Sequence, residues 1–338
     1  MIRAIRAALA AVSIFALTQP AAAQDCCPKE LVDAATKEGK LLLYSAVVLD
    51  NEQVMAKAFS ERFPGVKVDI VRAPGGRLFT RIETEAAAGK LTADVVDLTD
   101  RMLAIRIKHL LADYAPPNAA KWDRTSMPLP NIWPRTLFVY AIAYNPALMA
   151  KPPAPTWKEF EDPKNKGKLG TILAGSGGSA WTLAMFQRKV LGEGTWKAMA
   201  DLSPRLFESN GPMSSAVVRG EVHMTTLLTA TALSLKIQGA PIDVVYPKEG
   251  LPTAPGAAGI FKDAPNPNAA RLFMNWSLSE EGQNAMVERL GGLSLLAGAK
   301  KPAGTPDDIK LWIPDNTEFD DLRDPWVKEW DAIFGYRK

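Results

Sequence analysis

Apolar positions along the chain follow two periods in turn. The run Leu41-Leu42-Leu43-Tyr44-Ser45 is almost unbroken, and Val66, Val68 and Ile70 alternate with other residues; both patterns predict strands. Between them, residues 51–63 space Val54, Ala56, Phe59 and Phe63 two to four apart, predicting a helix that Pro64-Gly65 ends. A helix over 28–37 precedes this unit. Pro74-Gly75-Gly76 reads as a turn that opens a helix from Arg77 to residue 88, and 93–98 is a third strand. Strand, helix, strand, helix, strand is the grammar of a βαβ sheet, in which ligands sit at the carboxyl ends of the strands.

The pattern weakens over 110–134, where tryptophan and proline accumulate, and resumes with a strand over 137–144. A short helix and turn over 156–167 lead to a strand over 168–173 and the loop Ala174-Gly175-Ser176-Gly177-Gly178-Ser179-Ala180. Helices over 181–191 and 195–202, a loop at 209–212 and a helix over 214–220 follow. Residues 224–228 read as a strand, 229–238 as a helix, 242–246 as a short strand and, after a loop to Pro255, 256–261 as a return strand. Helices over 268–278, 280–290 and 326–334 complete the chain. No repeat at a fixed period is visible. The tail has no sheet grammar of its own and is expected to pack back on the first lobe.

Composition narrows the class. Of 338 residues, 47% are apolar and 23% charged, which excludes a disordered chain and leaves room for two domains. The 24 glycines and 26 prolines imply many turns and argue against a helical bundle. A net charge of +3 excludes a general nucleic-acid binder. Arg3 and Arg6, the apolar stretch 7–17 and Ala21-Ala22-Ala23 form an export signal over 1–23, too short to span a bilayer. Removing 23 residues and two arginines leaves 315 residues at a net charge of +1. Cys26 and Cys27, adjacent and the only cysteines, leave three readings open: lipid attachment, a local or intermolecular disulfide, or a free tail. A lipidated cysteine would directly follow the small-residue site, and Gln24-Asp25 intervene.

These residues carry a family resemblance. "LLLYSA", "FSERFPGVKVDIVRAPGGRLFTRIETEAAAGKLTADVVDLTD", "YNP", "PKNKGKLG", "VVRGEV" and "PGAAGIFKDAPNPNAARLFMNWSLSEEGQ" span nearly the whole mature chain in order. The chain resembles the periplasmic solute-binding proteins of ABC importers, in the group that includes ferric-ion-binding proteins. The resemblance implies an α/β, two-lobed periplasmic binding protein fold of type II, with a mixed sheet flanked by helices in each lobe and crossing strands between them. It implies a first lobe over 24–138, a second over 139–257 and a return to the first over 258–338. It also implies a periplasmic, monomeric carrier that closes on a small ligand and docks on a membrane permease, with no cofactor and no catalysis.

Candidate ligand contacts follow from strand ends and helix starts. Tyr44 and Ser45 close the first strand as an aromatic wall and a hydroxyl. Gly76 and Arg77 open a helix where free amides and a guanidinium suit an anion. Thr99 follows the third strand, and Asp100 reads as a helix cap. Ser176, Gly177, Gly178 and Ser179 form an anion seat before a helix, with Trp181 positioned to cover a planar ligand. Asn210, Thr229 and Thr231 complete the set. The glycine–serine loop lacks the lysine of a nucleotide phosphate loop.

Two alternatives compete with an organic carboxylate or phosphorylated or phosphonate anion. The ferric branch places two neighbouring tyrosines after "GEV", where this chain has Ala230 and Thr231. His109 and His223 are far apart and lack ligand spacing. No metal ligand set is therefore expected. An exported serine hydrolase would use Ser176, but Gly175-Ser176-Gly177 lacks the five-residue elbow and only His223 is offered as a base.

Overall fold

The computed structural model describes residues 26–125 and 127–336, so the expected export signal lies outside the described part. β1 (Lys40–Ser45) is apolar throughout its centre because both of its faces are covered. Leu41 and Leu43 pack toward α1 (Lys29–Glu38) and α2 (Leu49–Arg62), while Leu42 and Tyr44 pack toward α3 (Gly75–Ala87). β2 (Lys67–Arg72) and β3 (Val95–Leu98) flank β1 in parallel, with Leu43 opposite both Ile70 and Val95. α4 (Arg101–Arg106) follows directly, and the Asp100 side chain caps it by accepting the Met102 amide at 3.0 Å, as its sequence position suggests.

The chain then crosses to a second sheet along β4 (Leu137–Tyr144), which is buried along its whole length. The second lobe adds β5 (Leu169–Ile172), α5 (Gly178–Phe186), α6 (Thr195–Asp201), β6 (Arg205–Phe207), α7 (Asn210–Val218), β7 (Met224–Leu228), α8 (Thr229–Ile237), β8 (Asp243–Val245) and β9 (Leu251–Pro255). The sheet order is β6-β5-β7-β4, with β8 and β9 sharing the far edge of β4. Trp157, Phe160 and Phe186 fill its core.

β10 (Ala257–Ile260) returns antiparallel beside β3, and α9 (Pro267–Ser277) and α10 (Glu280–Leu290) cover the first lobe. The expected return of all of 258–338 to that lobe is corrected beyond this point. β11 (Leu311–Trp312) pairs with β9, and α11 (Asn316–Asp321) and α12 (Arg323–Phe334) pack on the second lobe. The reason is aromatic: Phe319 and Trp330 share a core with Trp181 and Trp196, and the Trp181 indole donates to the Phe319 carbonyl at 2.7 Å.

Three helices start within segments read as turn or loop. α3 begins at Gly75, α5 at Gly178 and α7 at Asn210, so segments read as turn or loop are first helical turns. Pro212 fits the first turn of α7, where no amide is needed from it. The helix expected over 156–167 is two 3₁₀ turns, Trp157–Phe160 and Pro163–Asn165. β9, read as loop, carries Pro252 and Pro255, whose missing donors weaken a strand signal. Cys26 and Cys27 form a vicinal disulfide, one of the three open readings, and Asn275 of α9 donates to the Cys26 carbonyl at 2.8 Å.

Two antiparallel strands carry the chain between the lobes, around residues 133–137 and 255–258. Trp133 and Ala258 exchange amide bonds at 2.8 and 2.9 Å, and the Gly256 amide donates to Thr136 O at 2.8 Å. A Cβ on Gly256 would lie 2.9 Å from that carbonyl and 3.1 Å from Asp97 Oδ1, so the crossing requires glycine. Arg135, 3% exposed, sits in this crossing and pairs with Glu52 of α2 and with Asp97 at 2.7 Å. Ser45 donates to Glu52 at 2.7 Å, and Gln283 of α10 donates to the Arg135 carbonyl at 3.2 Å.

Burial pushes the Asp97 carboxyl up; Arg135 pulls it down and Glu52 adds to the rise, leaving it at about 6 against an ordinary 3.8. The folded state therefore holds this proton more tightly than the unfolded chain. The stability that gives is present below the ordinary value and lost as pH rises toward the folded one. Asp97→Asn should accordingly gain stability relative to the parent between about pH 4 and 6 and hold a constant difference above about pH 7. Urea midpoints measured across that range check this; two parallel pH curves would contradict it.

Candidate functional site

The cleft between the lobes lies at the carboxyl ends of strands from both sheets. Ala46 and Val48 follow β1, Arg72 and Pro74 come from the end of β2, and Thr99 follows β3. Across from them, Ser176 and Gly177 follow β5, Glu208 and Ser209 follow β6, and Leu228 ends β7. Phe138 and Ile172 add apolar surface. The cavity proper measures about 50 Å³, a narrow space between closely apposed lobes.

The cleft is lined by helix starts. Val48, Pro74, Gly177, Ser209 and Leu228 are the N-cap residues of α2, α3, α5, α7 and α8, and all five border the cavity. None of the five makes a side-chain capping bond, whereas Asp100, Ser279 and Asp315 do so for α4, α10 and α11. First-turn amides have no partner within their own helix, and the helix dipole makes that end favourable to negative charge. Among the side chains, Ser176 Oγ and Asn210 Oδ1 are buried without a hydrogen-bond partner. Asn210 is oriented by donating through Nδ2 to Tyr140 Oη at 3.1 Å, and burial raises the Tyr140 hydroxyl to about 12, keeping it neutral.

Formal charge is balanced at the mouth. Arg72, whose Nε donates to Val47 O at 3.2 Å, is the one cationic side chain among the described lining residues. Glu208 is the one anionic group there and accepts the Tyr336 hydroxyl at 3.3 Å.

Of the residues the sequence singled out, Thr99, Ser176, Gly177, Ser179 and Asn210 come together in the lining. Gly178 lies where the lobes touch: a Cβ there would sit 2.5 Å from Thr99 O and 2.6 Å from the Asp100 Cα. The others lie elsewhere. Strand alternation turns Tyr44 into the core beside α3, where its hydroxyl donates to Glu85 at 2.8 Å, and turns Ser45 toward Glu52. Starting α3 at Gly75 rotates Arg77 about 200° from it, and both Gly76 and Arg77 are exposed outside the lining. Trp181 is buried beneath Phe319 and Trp326. Thr229 and Thr231 are buried in the first turn of α8, behind Leu228.

Sequence reasoning missed Arg72, Glu208 and Ser209. Arg72 was discoverable as the last residue of an alternating strand before Pro74. Glu208 and Ser209 follow β6, whose three residues are too few to show a period.

Residues 54–312 match the bacterial extracellular solute-binding protein family, and the chain belongs to it. The periplasmic binding protein AfuA of Actinobacillus pleuropneumoniae, solved with exogenous fructose-6-phosphate bound, is 22% identical with a TM-score of 0.71, over 88% of this chain and 99% of that one. The substrate-binding protein of an ABC transporter from Agrobacterium tumefaciens is 18% identical with a TM-score of 0.73, over 89% and 96%. Iron-bound HitA of Pseudomonas aeruginosa is 22% identical with a TM-score of 0.62, over 88% and 97%. At these identities the likeness shows the fold, that of the type II periplasmic binding proteins.

The Gly178 contact yields a test. Gly178→Ala places a methyl against the backbone of the opposite lobe, so the lobes should be held apart while each stays folded. Small-angle scattering should then give a larger radius of gyration than the parent with an unchanged far-ultraviolet spectrum. An unchanged radius would mean that the lobe contact is not close enough to exclude a methyl group.

Proposed function

We propose that this solute-binding protein is the periplasmic capture component of an ABC importer, exported by residues 1–23 and delivering a small anion to a membrane permease. The anion is an organic carboxylate or a phosphorylated or phosphonate compound. The observation that carries this reading is the convergence of five helix N-termini without side-chain caps on one cavity, beside the unpartnered oxygens Ser176 Oγ and Asn210 Oδ1. Amides supply donors in fixed positions, and Arg72 adds one charge at the mouth. Asn210 Oδ1, an acceptor, favours a ligand that also carries a hydroxyl or amine donor. Capture would proceed by closure of the two lobes about the crossing strands.

A ferric cargo is disfavoured by the donors present. Iron(III) calls for several hard anionic oxygens, and the described lining holds one carboxylate and no tyrosine. Among the described residues no three His, Cys, Asp or Glu side chains converge. An acyl-transfer role for Ser176 lacks a base, since neither His109 nor His223 is among the described lining residues.

Thermal melting against inorganic phosphate, sugar phosphates, dicarboxylates, spermidine and ferric citrate tests the reading, because a ligand of the native state raises the melting temperature. Anions should shift it, whereas spermidine should not, and ferric citrate should shift it no further than iron-free citrate. Arg72→Gln should weaken the responding anion about 10- to 100-fold, as loss of a charge-assisted hydrogen bond does, while Arg77→Gln leaves affinity unchanged. A shift with spermidine alone, or with ferric citrate but not with iron-free citrate, would overturn the anion assignment.

A further inference from the structure

Below the cleft, the first lobe is gripped by the C-terminal segment of the second. α4 begins at Arg101, two residues after Thr99, with Asp100 between them as its cap. Asp100, 1% exposed, caps α4 with one carboxylate oxygen and receives Arg323 of α12 on the other. Arg101, also 1% exposed, leaves its own lobe entirely. Its Nη2 donates to Pro314 O at 2.6 Å, its Nε donates to Asn316 Oδ1, and its guanidinium lies 4.8 Å over the Phe319 ring. Met102 packs on the aromatic core that contains Phe319 and Trp330. Arg106 and Asp320 extend the contact to the rim at 4.0 Å.

The gripping segment is anchored firmly to the second lobe. Besides the Trp181–Phe319 bond, Arg188 pairs with Glu329 and Lys189 with Glu318, each at 2.5 Å. Separating the lobes would therefore leave α11 and α12 in place and pull Asp100, Arg101 and Met102 out of them. A guanidinium buried against a carbonyl, an amide oxygen and a ring fits one geometry only, so this contact is made when the lobes meet and lost when they part.

We propose that residues 314–334 act as a strap that holds the closed form by its grip on Asp100 and Arg101, making these two positioning residues for Thr99 at the cleft. The proposal rests on lobe closure being part of solute capture, but not on the chemistry of the solute. Closure gains a term that no ligand supplies, and a ligand needs to contribute less to keep the cleft shut. Near the strap, Asp100 lies between the cleft and Arg323, so release of the ligand and release of the strap involve adjacent residues.

The test uses the mature chain stripped of solute by unfolding and refolding, so that an error in the anion assignment cannot affect it. Arg101→Met keeps the stem packed on Phe319 and removes both hydrogen bonds; Arg323→Ala removes the rim partner of Asp100, and Arg323→Lys restores a charge. Scattering should show the open-to-closed ratio rising roughly tenfold or more in the first two variants and returning toward the parent in the third. Hydrogen exchange should accelerate at the α4 amides while those of α12 stay protected. Unchanged scattering in both variants overturns the strap. Loss of protection in α12 also overturns it, by showing that the pairs serve the packing of the second lobe instead.

Discussion

Arg135 is the fixed point of the molecule. It lies in a strand that passes from one sheet to the other, and its side chain is buried between a helix and a strand end of the first lobe. An isolated guanidinium in that position would be prohibitive, so its partners Glu52 and Asp97 must be correctly placed around it. That requirement sets the direction of α2, the end of β3 and the path of the crossing strand together. Ser45 and Gln283 complete the arrangement from β1 and α10. The cleft begins immediately beyond these residues, so its lobe-1 wall takes its position from the cluster.

Much of the architecture could be read in the chain because burial on both faces leaves a strong trace. Leu41 to Tyr44 could be little else than a covered strand, and Val66, Val68 and Ile70 alternate as an edge strand should. Helix starts were harder. Glycine, serine and proline mark both turns and first helical turns, so Gly75, Gly178 and Asn210 looked like loop until packing placed them. The destination of the tail was hidden for a different reason. Trp326 and Trp330 announce an apolar helix face, but nothing local says which lobe holds the matching Trp181 and Trp196.

The site divides along the same line. Ser176, Gly177, Ser179 and Asn210 were visible because backbone-rich loops before helices have a recognisable composition. Tyr44 and Arg77 misled because chemically apt side chains were judged without the pleat or the helical angle that aims them. The buried cluster of Glu52, Asp97 and Arg135 left no signal at all. Its members are 83 residues apart at the extreme, and only the fold brings them together.

The construction of the cleft from main-chain amides has a consequence for how such a protein can diversify. A backbone donor cannot be removed by substituting its side chain, so the donor-rich floor persists under most replacements at Val48, Pro74, Ser209 and Leu228. Side chains at the mouth, such as Arg72 and Glu208, are free to vary on top of it. One scaffold can thus acquire new preferences by changing its rim, with the main-chain donors beneath left intact.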